Sequence, residues 1–218
     1  MGKEENLKRI IDCGITAIVR FERSEQLVQV AHAIKAGGID VIEFTMTTPN
    51  ALAIIEETAR EFGDEVLLGA GTVLDAETAR AAILAGAEFI VSPTLSRATI
   101  EMCRRYSKIV IPGTMTPTEI LTAWEWGADL VKVFPVERLG GPRYIRDVLA
   151  PLPQVKLVPT GGVDLTNVAD FIRAGAVAVA AGTSLVSRKA VAEGDFESLT
   201  DTARKFVAAV REARAGGK

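Results

Sequence analysis

The sequence predicts an α/β protein with the fold of a single (β/α)8 TIM barrel, formed by one domain of 218 residues. Three observations support this fold: eight short apolar runs, segments of helical period between them, and capping residues at the ends of those segments. An open, doubly wound sheet is the alternative. Eight strands favour closure, and no Gly-x-Gly-x-x-Gly motif follows the first run, where a dinucleotide-binding sheet would carry it.

The elements follow one another in regular order. The predicted strands span residues 15–19, 41–44, 66–69, 89–91, 109–111, 130–134, 156–158 and 177–181. Segment 1–14 precedes them, and its helical stretch 3–13 is expected to cover the barrel floor. The barrel occupies residues 15–214, with its last helix over 196–213. Residues 215–218 are expected to form a frayed tail.

Capping residues predict where several helices begin and end. Four N-cap candidates precede helical segments: Thr48, Asp75, Thr116 and Asp164. A proline follows each of the two threonines, and Glu119 completes a capping box with Thr116. Four glycines, each just before the next apolar run, are expected to close helices in the left-handed conformation: Gly37, Gly86, Gly127 and Gly175.

Composition and charge argue against several kinds of partner and site. The net charge of -3 and the pI of about 5.4 give no basic surface for nucleic acid or for an anionic membrane. The N-terminal residues lack the apolar segment of a signal peptide, and no apolar run is long enough to cross a bilayer. We therefore expect a cytoplasmic protein with a small-molecule partner. Two distant cysteines and one histidine argue against a disulfide framework and against a Cys/His metal site.

Lys132 lies within the apolar run 130–135, where a hydrated lysine is not expected. Burial in a parallel sheet disfavours the ammonium form, and a neutral lysine amine is a nucleophile that forms Schiff bases with ketones and aldehydes. The alternative is an edge strand on which Lys132 points to water or pairs with a carboxylate such as Asp129.

Two further charged residues end or interrupt the predicted strands. Glu43 lies inside the second apolar strand, where burial would raise its proton affinity and suit it to acid-base catalysis. It could instead only neutralise Lys132 or Arg20. Arg20 ends the first strand and offers a rigid fork for a carboxylate, or is simply a surface arginine.

Glycines follow the seventh and eighth strands. Gly161 and Gly162 follow one strand, and Gly182 with Thr183 follows the other. Exposed backbone N–H groups and helix N-termini at this end of a barrel form phosphate sites. The alternative is that these glycines only turn the chain.

Six motifs, in order along nearly the whole chain, resemble those of the 2-keto-3-deoxy-6-phosphogluconate aldolases. They are VIEFT at 41–45, GAGTV at 69–73, VSP at 91–93, IPGTMTPTE at 111–119, VKVFP at 131–135 and VPTGGV at 158–163. The resemblance implies a class I aldolase with a (β/α)8 fold, usually trimeric and without a metal. Such enzymes cleave 2-keto-3-deoxy-6-phosphogluconate to pyruvate and glyceraldehyde 3-phosphate, and many also cleave 4-hydroxy-2-oxoglutarate.

The resemblance also implies roles for individual positions. Lys132 matches the Schiff-base lysine and Glu43 the acid-base residue. Positions around the pyruvate moiety are Thr72, Pro93 and Thr160, and positions around the phosphate are Gly161, Gly162 and Thr183. Many members carry an arginine where this chain has Thr47, and Arg20 is the substitute that we expect to hold the carboxylate.

Three alternative functions remain open from the sequence. The substrate could be the galactonate epimer, because the motifs do not fix the configuration at C4. A phosphosugar isomerase or synthase would keep the phosphate site without needing a buried lysine on the sixth strand. A noncatalytic binding or assembly protein would keep the core but would not need Glu43 or Lys132.

Overall fold

The computed structural model describes residues 2–21 and 26–216. The strands in this part of the chain are β1 (Ile15–Val19), β2 (Val41–Thr45), β3 (Leu67–Gly71), β4 (Phe89–Val91), β5 (Ile109–Ile111), β6 (Gly113–Thr114), β7 (Val131–Val133), β8 (Leu157–Pro159) and β9 (Val179–Ala181). The α-helices are α1 (Lys3–Cys13), α2 (Leu27–Ala36), α3 (Ala51–Phe62), α4 (Ala76–Leu84), α5 (Arg97–Arg105), α6 (Pro117–Glu125), α7 (Pro142–Leu149), α8 (Val168–Arg173), α9 (Arg188–Glu193) and α10 (Phe196–Ala215).

The strands pair in parallel and close into a barrel. One sheet has the order β5-β4-β3-β2-β1-β9, and the other has the order β6-β7-β8. A parallel bridge between Thr160 and Ala180 joins the sheets on one side. Pro112 joins them on the other side, because it separates β5 from β6 while its carbonyl accepts a hydrogen bond from the Lys132 N–H at 2.9 Å. The predicted (β/α)8 fold is thus confirmed, with its fifth strand divided at Pro112.

Alternation along the strands separates two apolar clusters. The larger cluster lies between the strands and the surrounding helices. The smaller cluster fills the barrel and includes Val41, Leu67 and Phe89. Ile10 and Leu7 of α1 pack into this inner cluster, so the expectation that the first helix covers the barrel floor is confirmed.

Glycines on β3 make room for large side chains inside the barrel. A Cβ atom added to Gly69 would overlap with the ring of Phe89, and one added to Gly71 would overlap with the carboxylate of Glu43. Gly69 and Gly71 face the same side of β3, because successive residues of a strand point to alternate faces. Small residues at both positions therefore allow the ring and the carboxylate to lie within the barrel.

Two predicted N-caps and one predicted left-handed glycine lie at other residues. Asn50, with φ 57°, precedes α3, so Thr48 and Pro49 lie before the helix, and the Thr48 hydroxyl accepts a hydrogen bond from the Phe21 N–H at 3.3 Å instead. Gly37 closes α2 as predicted, but the left-handed conformation lies at the next residue, Gly38, with φ +94°. Asp164 accepts a hydrogen bond from the Thr166 N–H in the turn before α8, and the residue preceding that helix is Asn167.

Other predicted ends are confirmed. Asp75 caps α4, and Thr116 with Glu119 forms the capping box of α6. The last helix continues to Ala215, beyond its predicted end at 213 and into the segment expected to fray. Residues 217–218 of the predicted tail, and Met1 of the N-terminal segment, lie outside the described residues. Within residues 2–21 and 26–216, no helix combines the length and apolar character needed to span a bilayer.

Candidate active site

One cavity, of about 570 Å³, opens where the barrel strands end. Nine of the ten residues that the sequence singled out line it: Arg20, Thr72, Pro93, Lys132, Thr160, Gly161, Gly162, Gly182 and Thr183. They belong to β1, β3, β4, β7, β8 and β9 or to the loops after these strands, and four of them directly follow a strand's last residue: Arg20, Thr72, Thr160 and Gly182. The C-terminal ends of the strands are where (β/α)8 enzymes assemble their active sites. The tenth residue, Glu43, is buried behind the cavity wall.

Lys132 is the central residue of β7 and is 5% exposed. Burial lowers the pKa of its amine below the ordinary value of 10.5; the charge of Glu43 opposes this shift, and that of Arg20 adds to it. The Nζ atom lies 5.1 Å from the centre of the Phe134 ring. Asp129 does not pair with Lys132, because it forms an ion pair with Lys3 at 2.9 Å. The alternative of a surface lysine is therefore wrong.

Glu43 lies on β2 with 1% exposure. Burial raises the pKa of its carboxyl, and the positive charges of Lys132 and Arg20 act in the opposite direction. Each of these two buried groups therefore affects the charge of the other. The raised pKa of the carboxyl and the lowered pKa of the amine bring the two groups closer in proton affinity, which suits them to proton exchange.

Arg20 and Thr72 hold each other at the cavity wall. The Arg20 guanidinium donates to the Thr72 hydroxyl at 3.0 Å. Thr72 has φ 56°, a left-handed conformation that is strained for a β-branched residue and that is found disproportionately at functional sites. Thr47 is outside the cavity, with its hydroxyl 3.0 Å from that of Thr45. Of the two candidate carboxylate-binding positions, Arg20 and Thr47, it is Arg20 that lines the cavity.

The loops after β8 and β9 form one rim of the cavity. Gly161 and Gly162 have φ values of +89° and +82°, which favour glycine. Within the described residues, the backbone N–H groups of Gly162 and Thr183 donate to no protein group. The Ser184 hydroxyl donates to the Val163 carbonyl at 2.6 Å and ties the two loops together. The rim therefore carries unpaired donors on a fixed backbone.

Sequence reasoning missed several residues of the cavity wall, among them Phe134, Glu137 and Arg188. Phe134 could have been found, because it continues the alternation of Leu130 and Lys132 toward the barrel interior. Glu137 lies in the short 3-10 turn Val136–Leu139, and Arg188 begins α9. Neither belongs to a strand or to a motif, so the sequence pattern offered no signal for them.

Metal ligands and reactive thiols are the remaining groups that could carry chemistry. Among the residues that the structure describes, no group of three or more His, Cys, Asp or Glu side chains could hold a metal ion. Cys13 and Cys103 are free thiols, and burial raises their pKa values to about 11 and about 12. Both thiols therefore stay protonated and weakly reactive at neutral pH.

The chain is similar to known aldolases over nearly its whole length. The family model described as KDPG and KHG aldolase matches residues 7–202. The 2-dehydro-3-deoxy-phosphogluconate aldolase of Treponema pallidum (strain Nichols) is 39% identical over 186 residues, which are 85% of this chain and 88% of that protein.

Two solved structures agree with this match. A native KDPGal structure has a TM-score of 0.85 and 32% identity, covering 92% of this chain and 96% of its own. KDPG aldolase from Legionella pneumophila, with pyruvate captured at low pH as a covalent carbinolamine intermediate, has a TM-score of 0.85 and 26% identity, covering 91% and 96%. The chain therefore belongs to the KDPG and KHG aldolase family and is a lyase.

Proposed function

We propose that this enzyme reversibly cleaves 2-keto-3-deoxy-6-phosphogluconate to pyruvate and glyceraldehyde 3-phosphate through a Schiff base at Lys132. The observation that carries the proposal is the buried amine of Lys132, whose pKa is lowered, in the wall of a cavity that also holds unpaired backbone donors. The names of the relatives support the substrate, since they are aldolases of this keto acid phosphate or of its galactonate counterpart.

The covalent steps follow from the neutral amine. Nζ of Lys132 attacks the C2 ketone, the carbonyl oxygen takes up a proton, and loss of water leaves a protonated imine. The imine draws the electron pair of the C3–C4 bond toward nitrogen as that bond breaks. Glu43, directly or through a water, takes the proton of the C4 hydroxyl, which becomes the aldehyde. Protonation of the enamine at C3 and hydrolysis of the imine then release pyruvate.

The remaining residues divide the cavity into two parts. We assign the pyruvate part, including its carboxylate, to Arg20, Thr72, Pro93 and Thr160. The phosphate is assigned to the rim residues Gly161, Gly162, Gly182 and Thr183. Supporting this division, Arg20 contacts Thr72 on the wall beside β1 and β3, while the unpaired N–H groups lie on the loops after β8 and β9.

The test is mass spectrometry after incubation with pyruvate and borohydride. We expect one reduced pyruvyl group per chain, mapped to the peptide that contains Lys132, and loss of both label and cleavage in Lys132→Ala. Lys156→Ala is the matched control, because Lys156 precedes β8 and so lies at the opposite end of the barrel. Label on another lysine, or aldol cleavage that survives Lys132→Ala, would overturn the Schiff-base assignment.

The configuration at C4 needs a separate measurement. We expect kcat/KM to be higher for the gluconate derivative than for its galactonate epimer, with both substrates phosphorylated. A preference for the galactonate derivative would make that epimer the substrate. The assignment of the Schiff base to Lys132 would not change.

We also propose that the enzyme assembles as a homotrimer, as its family resemblance implies. Two large apolar side chains, Leu74 and Leu84, are 60% and 69% exposed in the single chain, and exposed apolar surface is typical of contacts between subunits. Sedimentation equilibrium should give three times the mass of one chain, and a monomer would contradict the assembly.

A further inference from the structure

Among the residues that the structure describes, five charged ones line the cavity: Arg20, Lys132, Glu137, Asp164 and Arg188. The first two belong to the pyruvate part in the proposed function. Asp164 turns its carboxylate to its own loop, where it accepts hydrogen bonds from the N–H and hydroxyl of Thr166 at 2.8 and 2.5 Å. Of these five, Glu137 and Arg188 are therefore the ones left to act on a ligand at the rim.

Glu137 places a negative charge beside the proposed phosphate site. A Cβ atom added to Gly162 would lie 2.5 Å from Oε2 of Glu137, so this carboxylate packs directly against the glycine loop. Neutral backbone N–H groups would have to hold a dianion against that charge. A cation near this rim would offset the charge of Glu137 and stabilise a bound phosphate.

Arg188 can supply that cation. It follows the loop that carries Thr183, lines the same cavity and is exposed at its mouth. Across residues 2–21 and 26–216, its guanidinium forms no ion pair or hydrogen bond with another protein group. A guanidinium presents a planar fork that matches two oxygens of a phosphate.

We propose that Arg188 binds the terminal phosphate of the substrate and, with Glu137 opposing it, determines the preference for phosphorylated over unphosphorylated keto acids. This inference rests on the proposed function and adds a residue to it that neither the sequence motifs nor the glycine loops indicate. The two side chains act on the same phosphate with opposite signs, which gives the inference a distinctive test.

The first test compares kcat/KM for 2-keto-3-deoxy-6-phosphogluconate with kcat/KM for its unphosphorylated counterpart. Arg188→Gln should lower this ratio by about tenfold to a hundredfold, the range for loss of a hydrogen bond between charged groups. Arg188→Lys should lower it less, because the charge remains. Glu137→Gln should raise the ratio, whereas mere damage to the rim would lower it.

Lys189→Gln is the matched control, since it removes the neighbouring positive charge, which does not line the cavity. Its ratio should equal that of the unmodified enzyme. If Arg188→Gln and Lys189→Gln give the same ratio, or if Glu137→Gln lowers it, the inference is overturned.

A second test uses inorganic phosphate and needs no turnover. Phosphate should raise the Tm of the unmodified enzyme and of Lys189→Gln, and should raise that of Arg188→Gln much less. Equal shifts in all three proteins, or no shift in the unmodified enzyme, would overturn the role of Arg188. Pyruvate and borohydride labelling of the same samples reports the proposed function separately. If Lys132 stayed unlabelled while phosphate still raised the Tm in an Arg188-dependent way, the aldolase chemistry would be refuted. The phosphate-binding role of Arg188 would stand.

Discussion

The side chain of Glu43 occupies the space into which a Cβ atom of residue 71 would project, so Gly71 fixes the place of the carboxylate. The two residues lie on adjacent parallel strands, β2 and β3. The missing side chain at Gly71 leaves the room in which Glu43 is buried. The GAGT motif thus supplies both the room for an acid-base group and, one residue later, the strained Thr72.

Gly71→Ala should therefore lower kcat by about a hundredfold, since a displacement of about 1 Å in a catalytic group has this effect. Gly69→Ala is the control, because its added methyl group meets Phe89 in the barrel core instead. Both variants should lose stability by about 1–3 kcal/mol through overpacking. Steady-state kinetics and urea unfolding would separate the effects, and equal kcat values in the two variants would refute the link to Glu43.

Glu43→Gln should slow turnover by about a hundredfold or more, the scale expected for a positioned acid-base group. Imine formation with pyruvate should survive, because the nucleophile is Lys132. The measurements are kcat for cleavage and the extent of borohydride labelling. A normal kcat would leave Glu43 as a structural charge only.

The pH dependence of imine formation should reflect the lowered pKa of Lys132. Only the neutral amine attacks pyruvate, so the labelling rate should rise with pH to a midpoint below 10.5. The charge of Glu43 raises this pKa and that of Arg20 lowers it, so Glu43→Gln should move the midpoint to lower pH and Arg20→Gln to higher pH. Shifts of the same sign in both variants would contradict this electrostatic arrangement.

Arg20→Lys should weaken pyruvate binding by about tenfold, because a point charge cannot reproduce the planar fork that donates to Thr72. The concentration dependence of borohydride labelling gives the affinity. Arg97→Lys is a suitable control, since Arg97 pairs with Glu101 on the exposed surface. Unchanged affinity in Arg20→Lys would assign the carboxylate to other donors in the cavity.

Gly162→Ala should raise KM for the phosphorylated substrate about tenfold or more, because the residue has φ +82° and its methyl group would overlap with Glu137. Gly175→Ala is the control, as it strains a positive φ of +103° away from the cavity. The comparison is KM for the phosphorylated substrate against KM for the unphosphorylated one. Equal increases would argue against a phosphate site at this loop.

The barrel could be predicted from the sequence because each strand is a short apolar run with a helical segment after it. Lys132 and Glu43 were identifiable for the related reason that a charge within such a run is conspicuous. The division of the fifth strand at Pro112 was not predicted, because its two residues beyond the proline, Gly113 and Thr114, have no apolar pattern.

The parts of the site that escaped prediction depend on tertiary contacts. Arg188 and Glu137 reach the cavity from a helix start and a 3-10 turn, and no local period marks such positions. The start of α3 was misplaced because the threonine and proline at 48–49 form a cap-like pattern, while the Thr48 hydroxyl is used by the neighbouring Phe21 backbone.

The hydrogen bond from Ser184 to Val163 has a consequence for engineering this enzyme. It makes the loops after β8 and β9 a single module, because the hydroxyl on one loop holds the backbone of the other. Grafting one loop from another barrel would leave its partner without this restraint. The segments 160–167 and 182–187 should therefore be transplanted together when a new specificity is sought at the rim.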